Sequence, residues 1–192
     1  VAAPEVFKLL YASSELDWQF KFLRLLAERR EQLSLAASVR TGAKSWYNIG
    51  FPEDAAVEGL PAADELNAFD CVILDRSLLP LLDEDQQQLL RAFVQRRGSG
   101  LILTGPVTDA APAAVRDMLP TTDEQVELVR LGRAKLKFRA GPVLQRRDMT
   151  AVDEMSRHVY LPANTPFLGV RGEDLKPGAR AIVTIADSPY VG

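Results

Sequence analysis

Phe69-Asp70-Cys71-Val72-Ile73-Leu74-Asp75-Arg76-Ser77-Leu78-Leu79-Pro80 opens the stretch that decides the fold, and Gly100-Leu101-Ile102-Leu103-Thr104-Gly105 closes it. Each contains a short apolar run. Between them Asp83 to Arg97 places Leu89, Leu90, Phe93 and Val94 at helical spacing. Strand, helix, strand in this order predicts a βαβ unit, whose parallel strands are buried on both faces by crossover helices. Asp83 with Gln86 three residues on predicts a capping box at the helix start, and Gly98 and Gly100 predict its end.

Upstream, Val6 to Ala12 reads as a first strand and Leu33 to Arg40 as a second. The helix between them runs to about Arg30 and starts with a capping pair, Ser14 and Asp17. Its apolar residues, Leu16, Phe20, Leu23 and Ala27 widened by Trp18, Phe22, Leu25 and Leu26, cover more than one stripe, as in a helix packed on a sheet and a neighbour. Thr41 to Glu58, punctuated by Gly42, Gly50 and Pro52, reads as a long loop that packs Trp46, Tyr47 and Phe51 inward. A short helix is expected over Pro61 to Ala68, a strand-to-helix loop over Arg76 to Pro80, and another short helix near Ala111 to Met118.

Downstream of Gln125 the period changes to alternation. Val126 and Leu128, then Leu136 and Phe138, predict a hairpin turning at 131–133, with the basic residues from Arg130 to Arg147 on a solvated face. Ala179 to Ala186 reads as a last strand. The whole is an α/β chain with an open, mostly parallel, doubly wound sheet of the flavodoxin-like or Rossmann-like kind, carrying an inserted β-hairpin. One domain over 1–192 is expected, the hairpin-containing insertion at about 121–165.

Composition narrows the function classes. The chain has 192 residues, a net charge of -3, 47% hydrophobic residues, one cysteine and one histidine. That charge argues against broad attraction to nucleic acid, and one cysteine excludes an internal disulfide. A common zinc site is not available to one cysteine and one histidine alone, and nothing implies a cofactor or another metal. No apolar run reaches the roughly 20 residues that span a bilayer. The start at Val1 reads as an excision from a longer protein.

In open sheets of this kind, ligands sit beyond the carboxyl ends of the strands. Here that edge predicts a ligand site built from Ser13, Ser14, Glu15, Arg40, Asp75, Arg76, Thr104, Gly105 and Pro106. Cys71 begins a central apolar strand, far from that edge, and is expected to be a buried, inert thiol. His158 reads as a surface or packing histidine rather than a base.

LDWQFKFLRLLAER after the first strand, the Arg40-Thr41-Gly42 triplet, FDCVILDRSLLPLLDEDQQQLLRAFVQRRGSGLILTG, and LKPGARAIV near the end resemble class I glutamine amidotransferase-like domains of bacterial membrane-associated proteins of unassigned function. Active members place a cysteine on the turn after the strand that here ends at Thr104, and use a later His-x-Glu pair. This chain has Gly105-Pro106 at the first place, and His158 is followed by Val159-Tyr160. The resemblance therefore implies a domain without catalytic residues that binds a small ligand or a protein partner, attached to a bacterial membrane through segments outside this chain. A hydrolase or transferase using polar groups at the sheet edge is the enzyme alternative. A degenerate receiver-like domain with Asp75 as phosphoryl acceptor is a lesser one, because the turn Ser13-Ser14-Glu15 offers one carboxylate where a receiver needs two to hold Mg²⁺.

Overall fold

A computed structural model describes residues 6–52, 55–104, 112–120, 127–130, 136–138, 166–169, 176–179 and 183–185. The chain divides into two compact units, Val1–Met118 and Leu119–Gly192.

The first unit is a mixed α/β structure with an open five-stranded sheet. Its strands are β1 (Phe7–Ser13), β2 (Leu33–Gly42), β3 (Ser45–Ile49), β4 (Cys71–Asp75) and β5 (Gly100–Thr104), in the order β3-β2-β1-β4-β5. β1 pairs parallel with β2 and with β4, and β4 parallel with β5; β3 alone runs antiparallel, against β2. The helices are α1 (Trp18–Glu28), α2 (Ala63–Leu66), a 3-10 helix (Arg76–Leu81), α3 (Glu84–Gln95) and α4 (Ala113–Arg116). The strand-helix-strand unit expected around Phe69 to Gly105 is therefore β4-α3-β5.

β4 is buried at all five positions, as befits the near-continuous apolar run of an interior parallel strand. On one sheet face Leu9, Tyr11, Ala37, Val39, Cys71 and Ile73 form a core with Phe20 of α1, and Leu23 packs against it. β5 departs from the expectation of burial on both faces: its Ile102, beside Ile73 in the register, is half-exposed. α3 starts with the expected capping box, Asp83 Oδ1 accepting from Gln86 N at 2.8 Å. It ends before Gly98, whose φ of 73° is the left-handed conformation suited to a helix stop.

Three local expectations change. The cap of α1 is Asp17, which accepts from Phe20 N at 2.8 Å, and not Ser14, whose hydroxyl is engaged elsewhere. The expected loop after Arg40 contains a strand: β3 folds back on β2 through a tight turn with a register irregularity between Arg40 and Gly42. The glycines that read as loop punctuation are the ends of that hairpin arm. The segment Arg76 to Pro80, expected as a loop, winds into the 3-10 helix with Asp75 as its cap.

In the second unit, β6 (Glu127–Arg130) pairs antiparallel with β8 (Pro166–Gly169), and β7 (Leu136–Phe138) antiparallel with β9 (Val183–Ile185). Strands thus form at both arms of the expected hairpin, but among the described residues they pair with later segments and not with each other. The last strand lies in this unit rather than in the five-stranded sheet. Short strands leave pairing to tertiary context, because local alternation specifies a face and not a partner. The expected turn at 131–133 and His158 lie outside the described residues. No helix of the described residues is long and apolar enough to cross a membrane.

Candidate functional site at the carboxyl edge

The parallel strands deliver Ser13, Arg40, Asp75 and Thr104 to one edge of the sheet. Ser13 ends β1 fully buried, its Oγ donating to Glu15 O at 2.8 Å and accepting from Glu15 N at 3.2 Å. A serine bonded to the backbone two residues on makes a tight local turn, which fixes the Glu15 backbone. Ser14 Oγ is hydrogen-bonded to Ser77 Oγ, and Ser77 donates to Asp75 Oδ1 through both its hydroxyl and its backbone N–H, the latter at 2.9 Å. Asp75, 5% exposed, is thus satisfied inside the fold and joins the loop after β4 to the loop after β1.

Tyr11 supports that loop from below. Its phenol donates to Asp17 Oδ2 at 2.8 Å while Asp17 Oδ1 caps α1, and its ring stacks on Phe20 at 5.7 Å between centroids. Burial first, then the Asp17 hydrogen bond, pushes the Tyr11 hydroxyl well above its ordinary titration range, so it stays a donor.

An open cavity of about 420 Å³ lies between this loop and the end of β2, lined by Ser14, Glu15, Leu16, Arg40, Thr41, Gly42 and Ala43. Arg40 donates from Nε to Gly42 O at 3.0 Å and from Nη2 to Ala43 O at 2.6 Å. The guanidinium is thereby held on the β2–β3 turn, with donors left over from its planar fork of five. Glu15 is exposed on the other wall and makes no ion pair among the described residues. One cavity therefore presents an anion, a cation and two hydroxyl groups, the set that orients a small polar ligand.

Of the residues expected at this edge, Ser14, Glu15 and Arg40 line the cavity, and Ser13 and Asp75 hold its walls. Thr104 lies beside Asp75 in the β4–β5 register, its Oγ1 buried without a hydrogen-bond partner among the described residues. Arg76 begins the 3-10 helix and does not line the cavity. Gly105 and Pro106 lie outside the described residues. Ser77 was not among the residues expected here, although Asp-x-Ser after a strand is the signature of a side-chain cap. The turn at Gly42 and Ala43 was missed as well, hidden once β3 read as loop.

Cys71 sits at the opposite end of its strand. It is buried, its Sγ meets the Val72 carbonyl at 3.7 Å, and burial, then the charge of Asp70, pushes the thiol up from its ordinary value of 9.0. Four residue steps along β4 separate it from Asp75, about 13 Å. Among the described residues no group of three or more His, Cys, Asp or Glu is placed to hold a metal ion.

Fold and edge together define an α/β domain with a polar cavity at the carboxyl ends of its strands. Comparison with protein-family models, with curated proteins and with solved structures finds no match for the chain.

Proposed function

We propose that this chain is a non-catalytic, glutamine amidotransferase-like domain that binds a small polar ligand at the carboxyl edge of a flavodoxin-like sheet, within a membrane-anchored protein. The observation that carries the reading is the cavity holding Glu15 and Arg40, its loop tied through Ser14 and Ser77 to a buried, satisfied Asp75. The strand order supports the fold assignment. β1 leads outward to β2 and β4 outward to β5, so right-handed crossovers set α1 and α3 on opposite faces.

The thiol supports the absence of amidotransferase chemistry. A nucleophile for glutamine needs access, a base and oxyanion donors at the carboxyl edge. Cys71 is buried at the amino end of β4, and in the sequence Gly105 offers no side chain at the turn after Thr104. Incubated with L-glutamine at neutral pH, the protein is expected to release no ammonia above the blank. Ammonia release that disappears in Cys71→Ala would contradict the assignment.

A further inference from the structure

β5 ends the five-stranded sheet, and among the described residues no strand pairs with its outer side. Gly100 N donates to Asp70 O at 3.0 Å, which fixes the phase of the ladder between β5 and β4. Along a strand the backbone groups of successive residues point to alternate sides, so Gly100, Ile102 and Thr104 bond inward to β4. Leu101 and Leu103 turn their N–H and C=O groups to the open edge. Ile102 lies beside Ile73 on the sheet face that Phe20 of α1 covers further along, yet it is 50% exposed.

Edge strands are ordinarily kept from pairing by a charge, a proline or a bulge. β3, at the other side of the sheet, has such devices: a register irregularity between Arg40 and Gly42 in its ladder with β2, and Lys44 just before it. β5 has none of them. Its ladder with β4 is regular over every pair, and Gly98 to Gly105 contains neither a charged residue nor a proline.

The sequence of the strand indicates what fits it. Gly100-Leu101-Ile102-Leu103-Thr104 reads nearly alike in both directions about Ile102, with a leucine on each side and a small residue beyond. An antiparallel two-fold centred on Ile102 sets Leu101 opposite Leu103 of a second copy, and Leu103 opposite its Leu101. In both pairs each outward N–H meets a facing carbonyl, so the backbone groups of the edge are all satisfied. Ile102 faces its own image in the closely spaced kind of pair, about 4.5 Å between Cα atoms, where the two exposed side chains cover each other. No like charges are brought opposite.

We propose that two copies of this chain join antiparallel through β5 about a two-fold axis at Ile102, making one sheet continuous across the pair. The contact uses neither the cavity nor a membrane tether, so its failure leaves the ligand reading standing.

The test combines sedimentation velocity of the 192-residue chain with cysteine cross-linking. Five residues a side make a small contact, so dimer is expected to appear as concentration rises. Ile102→Lys, which sets two ammonium groups opposite each other and removes the isoleucine contact, should raise the dimer dissociation constant about tenfold or more while circular dichroism stays unchanged. In Cys71→Ala, which removes the one native cysteine, Ile102→Cys should form an interchain disulfide on mild oxidation, because the separation of the pair falls within the roughly 4.4–6.8 Å that a disulfide spans. Leu101→Cys in the same background stands diagonally from its own image, about 7–8 Å away, and should form little. A monomer at every concentration, no disulfide in Ile102→Cys, or cross-linking equal in Leu101→Cys would overturn the proposal. A dimer indifferent to Ile102→Lys but lost in Phe22→Ser would also overturn it, assigning the contact to the outer face of α1.

Discussion

Gly50 adopts φ of 74°, and a Cβ there would stand 2.8 Å from the Ala36 Cα and 2.9 Å from the Leu35 carbonyl. Neither atom can yield without moving β2, so Gly50→Ala is expected to cost on the order of 3 kcal/mol, from dihedral strain plus overpacking. A urea titration measures it; a change below about 1 kcal/mol would mean that the close approach of the two backbones is not built as described. Tyr11 gives a pH signature. Its hydroxyl and the Cys71 thiol are both raised above their ordinary values of 10.0 and 9.0, so in alkali the unfolded chain gives up these protons first. Their stabilising contribution is whole below about pH 9 and drains away as pH rises toward the folded values. Urea midpoints should therefore fall above about pH 9, and less steeply in Tyr11→Phe. Cys71 illustrates what a single residue discloses in sequence: an apolar run announced its burial. Ser14 illustrates the opposite, because its partner Ser77 is 63 residues away and no local pattern joins them.

The two long helices of the first unit begin on aspartates that do different work. Asp83 closes an exposed capping box, which local spacing alone identified. Asp17 caps α1 and also accepts from the buried Tyr11 phenol, a contact between elements that spacing does not encode. Asp83→Ala should cost about 1 kcal/mol. Asp17→Ala should cost about 2 kcal/mol or more, because it also strands a buried hydroxyl. Thermal or urea denaturation of the two variants checks the order, and equal losses would deny Asp17 its second role. β3 was illegible for a related reason: a five-residue strand flanked by Gly42 and Gly50 reads as loop until Asn48 Nδ2 reaches Val57 O at 3.0 Å and Tyr47 meets Phe20 edge-on at 6.2 Å. Those contacts, and the antiparallel ladder to β2, are what make the segment a strand.

For the molecule as a whole, the parallel core was readable because buried strands and a capped amphipathic helix leave strong local marks. Pairing in the second unit was not, since β6 meets β8 and β7 meets β9 across long stretches of chain. The edge rule for open α/β sheets found Ser14, Glu15 and Arg40, yet the turn at Gly42 and Ala43 became visible only with β3 in place. That this edge is a binding site is the central proposal. Its most direct test is a backbone amide NMR map of the protein titrated with amino acids, nucleotides and sugars in turn, repeated in Glu15→Gln. Saturable shifts are expected for one ligand class, centred on Ser14 to Leu16 and Arg40 to Ala43 and weakened in the variant. Shifts centred elsewhere in the chain, or none with any of the three classes, would contradict it.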